Sequence, residues 1–277
     1  MAIITISRGT KSGGAELAKR LSERLGYSNK SREVVLEGAR KYNIMAEELY
    51  RRLDESPGFW NKLSRDHERY LIYVQCAVID AVREDNVVYH GSAGQLFLRG
   101  IKHVLRVFLD APVEERVRTV KMESGTDDNK AADYIAKADT EKIRWFKLIF
   151  GEHWRDPSLY DVSFNTSRLT LDAICDLVAQ TVERREFHTT EESLKRLNNL
   201  SLECEVKAAF AADDKIWGLP VEVAAHDGVI EISGYVKDAK LRDALTETAS
   251  QVKGVEECQV RVNLSTDPLS KGIYGHN

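Results

Sequence analysis

The stretch of the chain best suited to chemistry lies near its start: Arg8-Gly9-Thr10-Lys11-Ser12-Gly13-Gly14. Its glycines let backbone approach a ligand closely. A series of N–H groups leading into a helix favours an anion. A phosphate-binding loop is the sharp reading, and a structural glycine turn is the plain one. Gly9 and Gly14 have the separation of G-x-x-x-x-G-K-[ST], but Ala15-Glu16 follow where the lysine and the hydroxyl residue belong. The cation that reaches the terminal phosphates and the hydroxyl that holds Mg²⁺ are therefore missing from their usual places. Lys11 could supply the charge from within the loop, or it could simply be solvated.

Such a loop needs elements to hold it. Ala2–Ser7 is a short β-branched apolar run and predicts a buried strand. After the loop, Leu17, Ala18, Leu21 and Leu25 recur at helical spacing, with Gly26 as a stop. Residues 32–83 read as mainly helical, broken once at Pro57-Gly58, with Asp54-Glu55 at a helix end. Further strands are expected at Asn86–His90, Val104–Leu109 and Asp161–Asn165. Helices are expected from Val113, over about 131–150 and over about 170–184. Alternation of this kind predicts an α/β fold, a parallel sheet covered on both faces, with ligands beyond the C-terminal strand ends. Past a polar linker at Glu183–Thr190 the pattern changes to α-β-β-α-β, with a hairpin signal at Asp227-Gly228 between Pro220–Ala225 and Val229–Val236. A helix over Lys237–Val252 and a strand over Cys258–Leu264 complete it. The expected division is a first domain over 1–186, a small α+β domain over 191–265 and a loose tail over 266–277.

The opening I-I-T-I-S-R-G-T-K-S-G-G-A-E-L-A-K-R-L, from Ile3 to Leu21, resembles the cytidylate-kinase-like family, whose members open with a strand and S-R-x-x-G-S-G-G. The likeness continues in Leu105–Pro112 with Glu115-Arg116, in Ala138-Asp139-Thr140-Glu141-Lys142 as the lid segment, and from Gly151 through Trp154, Asp156-Pro157 and Tyr160-Asp161-Val162 to Asn165-Thr166-Ser167. It implies a P-loop kinase fold, ATP with Mg²⁺, and phosphoryl transfer to a nucleoside monophosphate such as CMP. It implies catalytic roles for Lys11, Arg116, Lys142 and Arg144. Nucleotide phosphates would be held by Ser7, Arg8, Gly9, Thr10, Lys11, Ser12, Gly13, Gly14 and Arg118, and the acceptor by Gly91 and Ser92. The chain departs from the pattern at Lys11, Ala15, Ser31, Ser92 and Lys142; the last replaces a lid arginine, whose fork a lysine cannot reproduce. Val221–Val236 and Val252–Leu264 resemble a BON domain, which implies a protein partner or self-association.

The totals narrow the alternatives. The chain has 277 residues and a net charge of −4. Residues 191–264 carry 14 acidic and 9 basic side chains, while residues 1–190 carry 29 and 30. Neither part has the basic excess of a nucleic-acid binder. No apolar run is long enough to cross a membrane, and the N-terminus does not read as a signal peptide, so the expected location is cytoplasmic. Cys76, Cys175, Cys204 and Cys258 form no metal-ligand spacing and read as reduced thiols; the seven histidines are scattered, so no metal site is expected. Trp145, Phe146 and Trp154 read as core, with stacking on a base as the alternative, and His90 reads as packed at a strand end. Three functions stay open: a nucleotide kinase, a catalytically weak nucleotide-binding regulator, and a scaffold that binds no nucleotide.

Overall fold

The structure, a computed structural model, describes residues 2–31 and 65–264. The Asp54-Glu55 pair, the Pro57-Gly58 break and the C-terminal tail lie outside the described residues. The chain forms two compact units, residues 1–63 with 80–193 and residues 64–79 with 194–277. Residues 64–79 thus fall in the same unit as residues 194–277.

The first unit is built on five parallel strands in the order β2-β3-β1-β4-β5: β1 Ile3–Arg8, β2 Ser28–Ser31, β3 Val87–His90, β4 Val104–Asp110 and β5 Val162–Asn165. The α/β expectation holds. β1 is central, with Ile3 to Ile6 buried on both faces, which is why its sequence runs apolar without alternation. β2 was not expected. Its Ser-Asn-Lys-Ser sequence carries no apolar signal, because an edge strand pairing only with β3 has little to bury.

Helix α1 (Gly14–Leu25) ends at Gly26, whose left-handed φ of 68° lets its N–H reach the Ser22 carbonyl. Leu17 and Leu21 pack with Ile174, Val178 and Val182 of a later helix against Ile4, Ile6, Leu105 and Val107. Each such side chain contributes about 1.5–3 kcal/mol on burial. The remaining helices of the described residues are α2 Arg65–Val82, α3 Gly94–Phe97, α4 Val113–Ser124, α5 Asp128–Phe150, α6 Leu171–Val182, α7 Glu191–Ala212 and α8 Ala239–Ser250. Helix α5 starts three residues earlier than the apolar pattern suggests, because Asp127 caps it by accepting the Lys130 N–H.

The second unit has strands β6 Val221–His226, β7 Val229–Val236 and β8 Glu257–Leu264. β6 and β7 are antiparallel, and Asp227 and Gly228 both have positive φ, as a tight hairpin turn requires. β8 lies parallel to β7, with α8 as the crossover. At Gly234 (φ 135°) a side chain is excluded, since a β-carbon would fall 2.2 Å from the Pro220 carbonyl oxygen. Val206 and Phe210 of α7, Ile230 and Ile232 of β7, and Leu245 and Ala249 of α8 form its core.

The cysteine expectation is corrected. Cys76 of α2 and Cys204 of α7 form a disulfide with Cα atoms 5.5 Å apart, while Cys175 and Cys258 are free thiols. The partners are 128 residues apart in sequence, so no spacing rule could pair them. Arg69 adds a 2.7 Å ion pair to Asp214 and lies over the Trp217 ring. Among the described residues, no helix is long and apolar enough to cross a membrane.

Candidate functional site

The loop between β1 and α1 opens at the C-terminal edge of the parallel sheet, where β3 and β4 also end, in His90 and Asp110. The α1 N-terminus begins at Gly13 (φ 84°) with no side-chain cap, so its N–H groups are available to an anion. Beneath the loop, the buried Ser7 hydroxyl donates to Gln95 Oε1 at 2.7 Å. Gln95 Nε2 in turn donates to the Tyr160 hydroxyl, which donates to the Trp154 carbonyl at 2.5 Å. Ser7 therefore anchors the floor. Arg8 packs across Gly14, where a β-carbon would lie 2.2 Å from its Cδ. Gly91 is required by the Tyr89 hydroxyl, 2.2 Å from where its β-carbon would stand; Ser92 beside it is half-buried.

Four cations and two carboxylates meet at this edge. Lys142, from α5, donates to the Arg8 carbonyl at 2.5 Å and lies 4.2 Å from the Trp154 ring centroid. It is charge delivered to the loop from another element. Burial, then the positive charge of Arg8, lowers the Lys142 ammonium to about 7. Arg116 is 1% exposed and grips Asp139 through two hydrogen bonds of 3.0 and 2.8 Å. An exposed helix face for Arg116 is thus ruled out. Burial alone would raise the Asp139 carboxyl, but Arg116 and Arg155 outweigh it and hold it below the usual range.

Arg155 bridges the two carboxylates: Nε reaches Asp110 Oδ2 at 3.1 Å and Nη2 reaches Asp139 Oδ2 at 3.0 Å. Its guanidinium lies 4.4 Å from the same Trp154 ring. Asp110 takes the Ala111 N–H on Oδ1 at 3.0 Å and faces the Ser12 hydroxyl at 3.5 Å. A β-carbon on Gly9 would lie 2.2 Å from that Oδ1, so the carboxylate rests against the loop backbone.

The expected residues separate. Arg8, Gly9, Ser12, Gly13, Gly14 and Lys142 converge on the loop, and Arg116 joins them through Asp139 and Arg155. Lys11 (φ 63°) extends to Glu123 of α4 and pairs with it. Thr10 is half-buried, and Arg118 and Arg144 are exposed. Phe146 is core, as expected; Trp154 is fully buried but also carries two cations. The sequence reading missed Asp110 and Arg155 and gave Asp139 no role. Asp110 was accessible in principle, as the residue that ends a strand at the loop's own edge. Arg155 carried no signal, because its partners lie 45 and 16 residues away.

A solved structure of an uncharacterized protein from Eubacterium ventriosum superposes with a TM-score of 0.53 at 19% identity, covering 67% of this chain and all of that one, a likeness of fold. A cytidylate kinase of Methanopyrus kandleri is 25% identical over 65% of this chain and 93% of its own length. One of Halobacterium salinarum is 26% identical over 68% and 93%. Residues 199–264 match the BON domain. The family model for the cytidylate kinase-like family matches residues 3–168, more than half of the chain. By that match and the loop it contains, the chain belongs to the cytidylate kinase-like family.

Proposed function

We propose that the first unit binds ATP through its phosphates at the β1–α1 loop and transfers the terminal phosphoryl group to a nucleoside monophosphate of the CMP or dCMP type. The observation that carries this reading is Lys142. The usual loop lysine is absent, and a lysine from α5 places its ammonium on the loop carbonyl of Arg8 instead. In phosphoryl transfer the protein mainly positions oxygens and neutralises charge. In this reading the α1 N-terminus and Arg8 hold the phosphates, and Lys142 takes the charge that develops as the group moves. Arg116 keeps α4 and α5 in register through Asp139. Gly91 and Ser92 are where the acceptor would lie, and Lys11, Arg118 and Arg144 are outer cations that closure could bring nearer.

A resident Mg²⁺ site is not formed by these side chains. Asp110 is the carboxylate against the loop, and both its oxygens are engaged, one by Arg155. Mg²⁺ enters this reading as the counter-ion of the nucleotide.

The experiment is phosphorus NMR of the full chain with Mg-ATP and mixed nucleoside monophosphates. Diphosphate products are expected, and Lys142→Ala should cut their rate about a hundredfold or more, the scale for removing a charge-stabilising donor. Absence of product with every acceptor would discard the kinase reading. The departures at Ala15 and Ser92 favour the second reading, a catalytically weak nucleotide-binding regulator whose BON unit contacts a protein partner or a second copy. That reading predicts ATP binding by calorimetry without turnover. A cytoplasmic location suits either reading, whereas the Cys76–Cys204 bond weighs against a reducing compartment.

A further inference from the structure

We infer that Arg155 is a phosphate-binding residue of the loop, and that Asp110 occupies its guanidinium, and the loop mouth, until a polyphosphate displaces it. The inference rests on the nucleotide-binding reading above and names the residues that govern its affinity.

Three observations carry it. The first is position. Asp110 Oδ1 lies against Gly9 and faces Ser12, so a carboxylate stands where the loop is built to receive an anion. Its charge opposes any phosphate brought there.

The second is the contrast between two arginines that share Asp139. Arg116 is 1% exposed and spends both terminal nitrogens on that carboxylate, a fixed structural pair. The Arg155 side chain is 33% exposed and gives one hydrogen bond to each of two carboxylates. Its planar fork is not matched bidentately by either, although bidentate pairing is what a guanidinium does best with carboxylate or phosphate. If Arg155 swings away, Asp139 keeps Arg116 and is not left unpaired.

The third is the neighbouring ring. Arg155 and Lys142 both lie against Trp154, so the guanidinium is tethered beside the cation that touches the loop. The buried Trp154 indole N–H has no hydrogen-bond partner among the described residues, an unspent donor at the same place.

The exchange needs no covalent step. Phosphate oxygens replace the Asp110 oxygen on Arg155, and Asp110 turns to solvent. Asp110→Asn should therefore tighten binding, although it removes a polar side chain from the site. A carboxylate that served to hold a cation would do the reverse.

The test is calorimetric titration of the full chain with inorganic tripolyphosphate and with ATP, each with and without Mg²⁺. Tripolyphosphate has no base and no acceptor, so its binding reads the loop alone. Asp110→Asn is expected to bind it about fivefold tighter than the unaltered chain. Arg155→Met should bind it about tenfold weaker, and Arg155→Lys should fall between, keeping the charge but losing the fork. Because the Arg155 side chain is partly exposed, its variants report even if Asp110→Asn folds poorly. Equal or weaker binding by Asp110→Asn overturns the inference, as does unchanged binding by Arg155→Met or failure of both the unaltered chain and Asp110→Asn to bind. If the affinities follow the expected order while the NMR assay yields no product, the inference stands and only the kinase reading falls.

Discussion

The two units treat charge in opposite ways. At the C-terminal edge of the first sheet, Arg8, Lys142, Arg155 and Arg116 crowd around Asp110 and Asp139, partly or wholly withdrawn from water. In the second unit the core is aliphatic and aromatic, and ion pairs such as Arg69–Asp214, Lys195–Asp227 and Arg242–Asp243 lie at the surface. Its tightest tie is covalent, from α2 to α7. An excess of cations held close to an uncapped helix N-terminus is what an anion site requires, and it costs stability. A core closed by apolar packing and a disulfide suits a module that holds its shape while something else binds.

The contrast can be broken most forcefully at the disulfide. Cys204→Ser should lower the stability of the second unit by about 5 kcal/mol, the loop-closure value for a bond spanning 128 residues. Hydrogen exchange along β6 to β8 should show it. Thiol titration of the unreduced, unfolded protein should find two reactive cysteines, Cys175 and Cys258, and four after reduction. Four before reduction would remove the covalent half of the comparison.

Next in size is Arg116→Leu, which takes from Asp139 its buried partner. A loss of about 3 kcal/mol is expected in denaturant unfolding, the low end for a broken buried pair because Arg155 still reaches Asp139. An effect below about 1 kcal/mol would mean that the first unit's charges are as dispensable as the second unit's surface pairs.

Lys142 gives a pH-dependent effect. Its native value of about 7 lies below its unfolded 10.5, so between these the unfolded chain binds more protons and stability rises with pH. Lys142→Met should flatten that rise. Phosphate favours the charged lysine, so tripolyphosphate binding at pH 8 should take up protons, visible as a buffer-dependent enthalpy, and weaken as pH rises.

His103 should give the smallest change. It is fully buried, burial lowers its value from 6.5, and neither ring nitrogen finds a partner among the described residues. The unfolded chain then binds the extra proton below about pH 6.5, and stability falls as pH falls. His103→Leu should reduce that acid sensitivity.

Much of the fold was readable from local pattern. β1, β3 and β4 are short apolar runs, β5 alternates Val162 and Phe164 with Ser163 and Asn165, and β7 falls on its expected bounds, because burial imposes a pattern on the residues that form them. β2 was not readable, since an exposed edge leaves no period. The site was half legible. The glycine loop announces itself through backbone freedom, and Lys142 through the lid segment it resembles. What Lys142 touches, and the Asp110–Arg155–Asp139 bridge, arise only when strand ends and α5 are brought together. The disulfide was invisible for the same reason.

The pairing of α2 with α7 also imposes an order on synthesis. Cys76 leaves the ribosome 128 residues before Cys204, a delay of about 6 to 26 s at ordinary elongation rates. Through that interval the face of α2 that ends up against α7 has no partner, while the strands of the first sheet emerge one after another. The nascent chain must therefore shelter one helix of the second unit until nearly all of the first has been made, so a trigger-type chaperone or an early non-native contact at α2 would act on the yield of both.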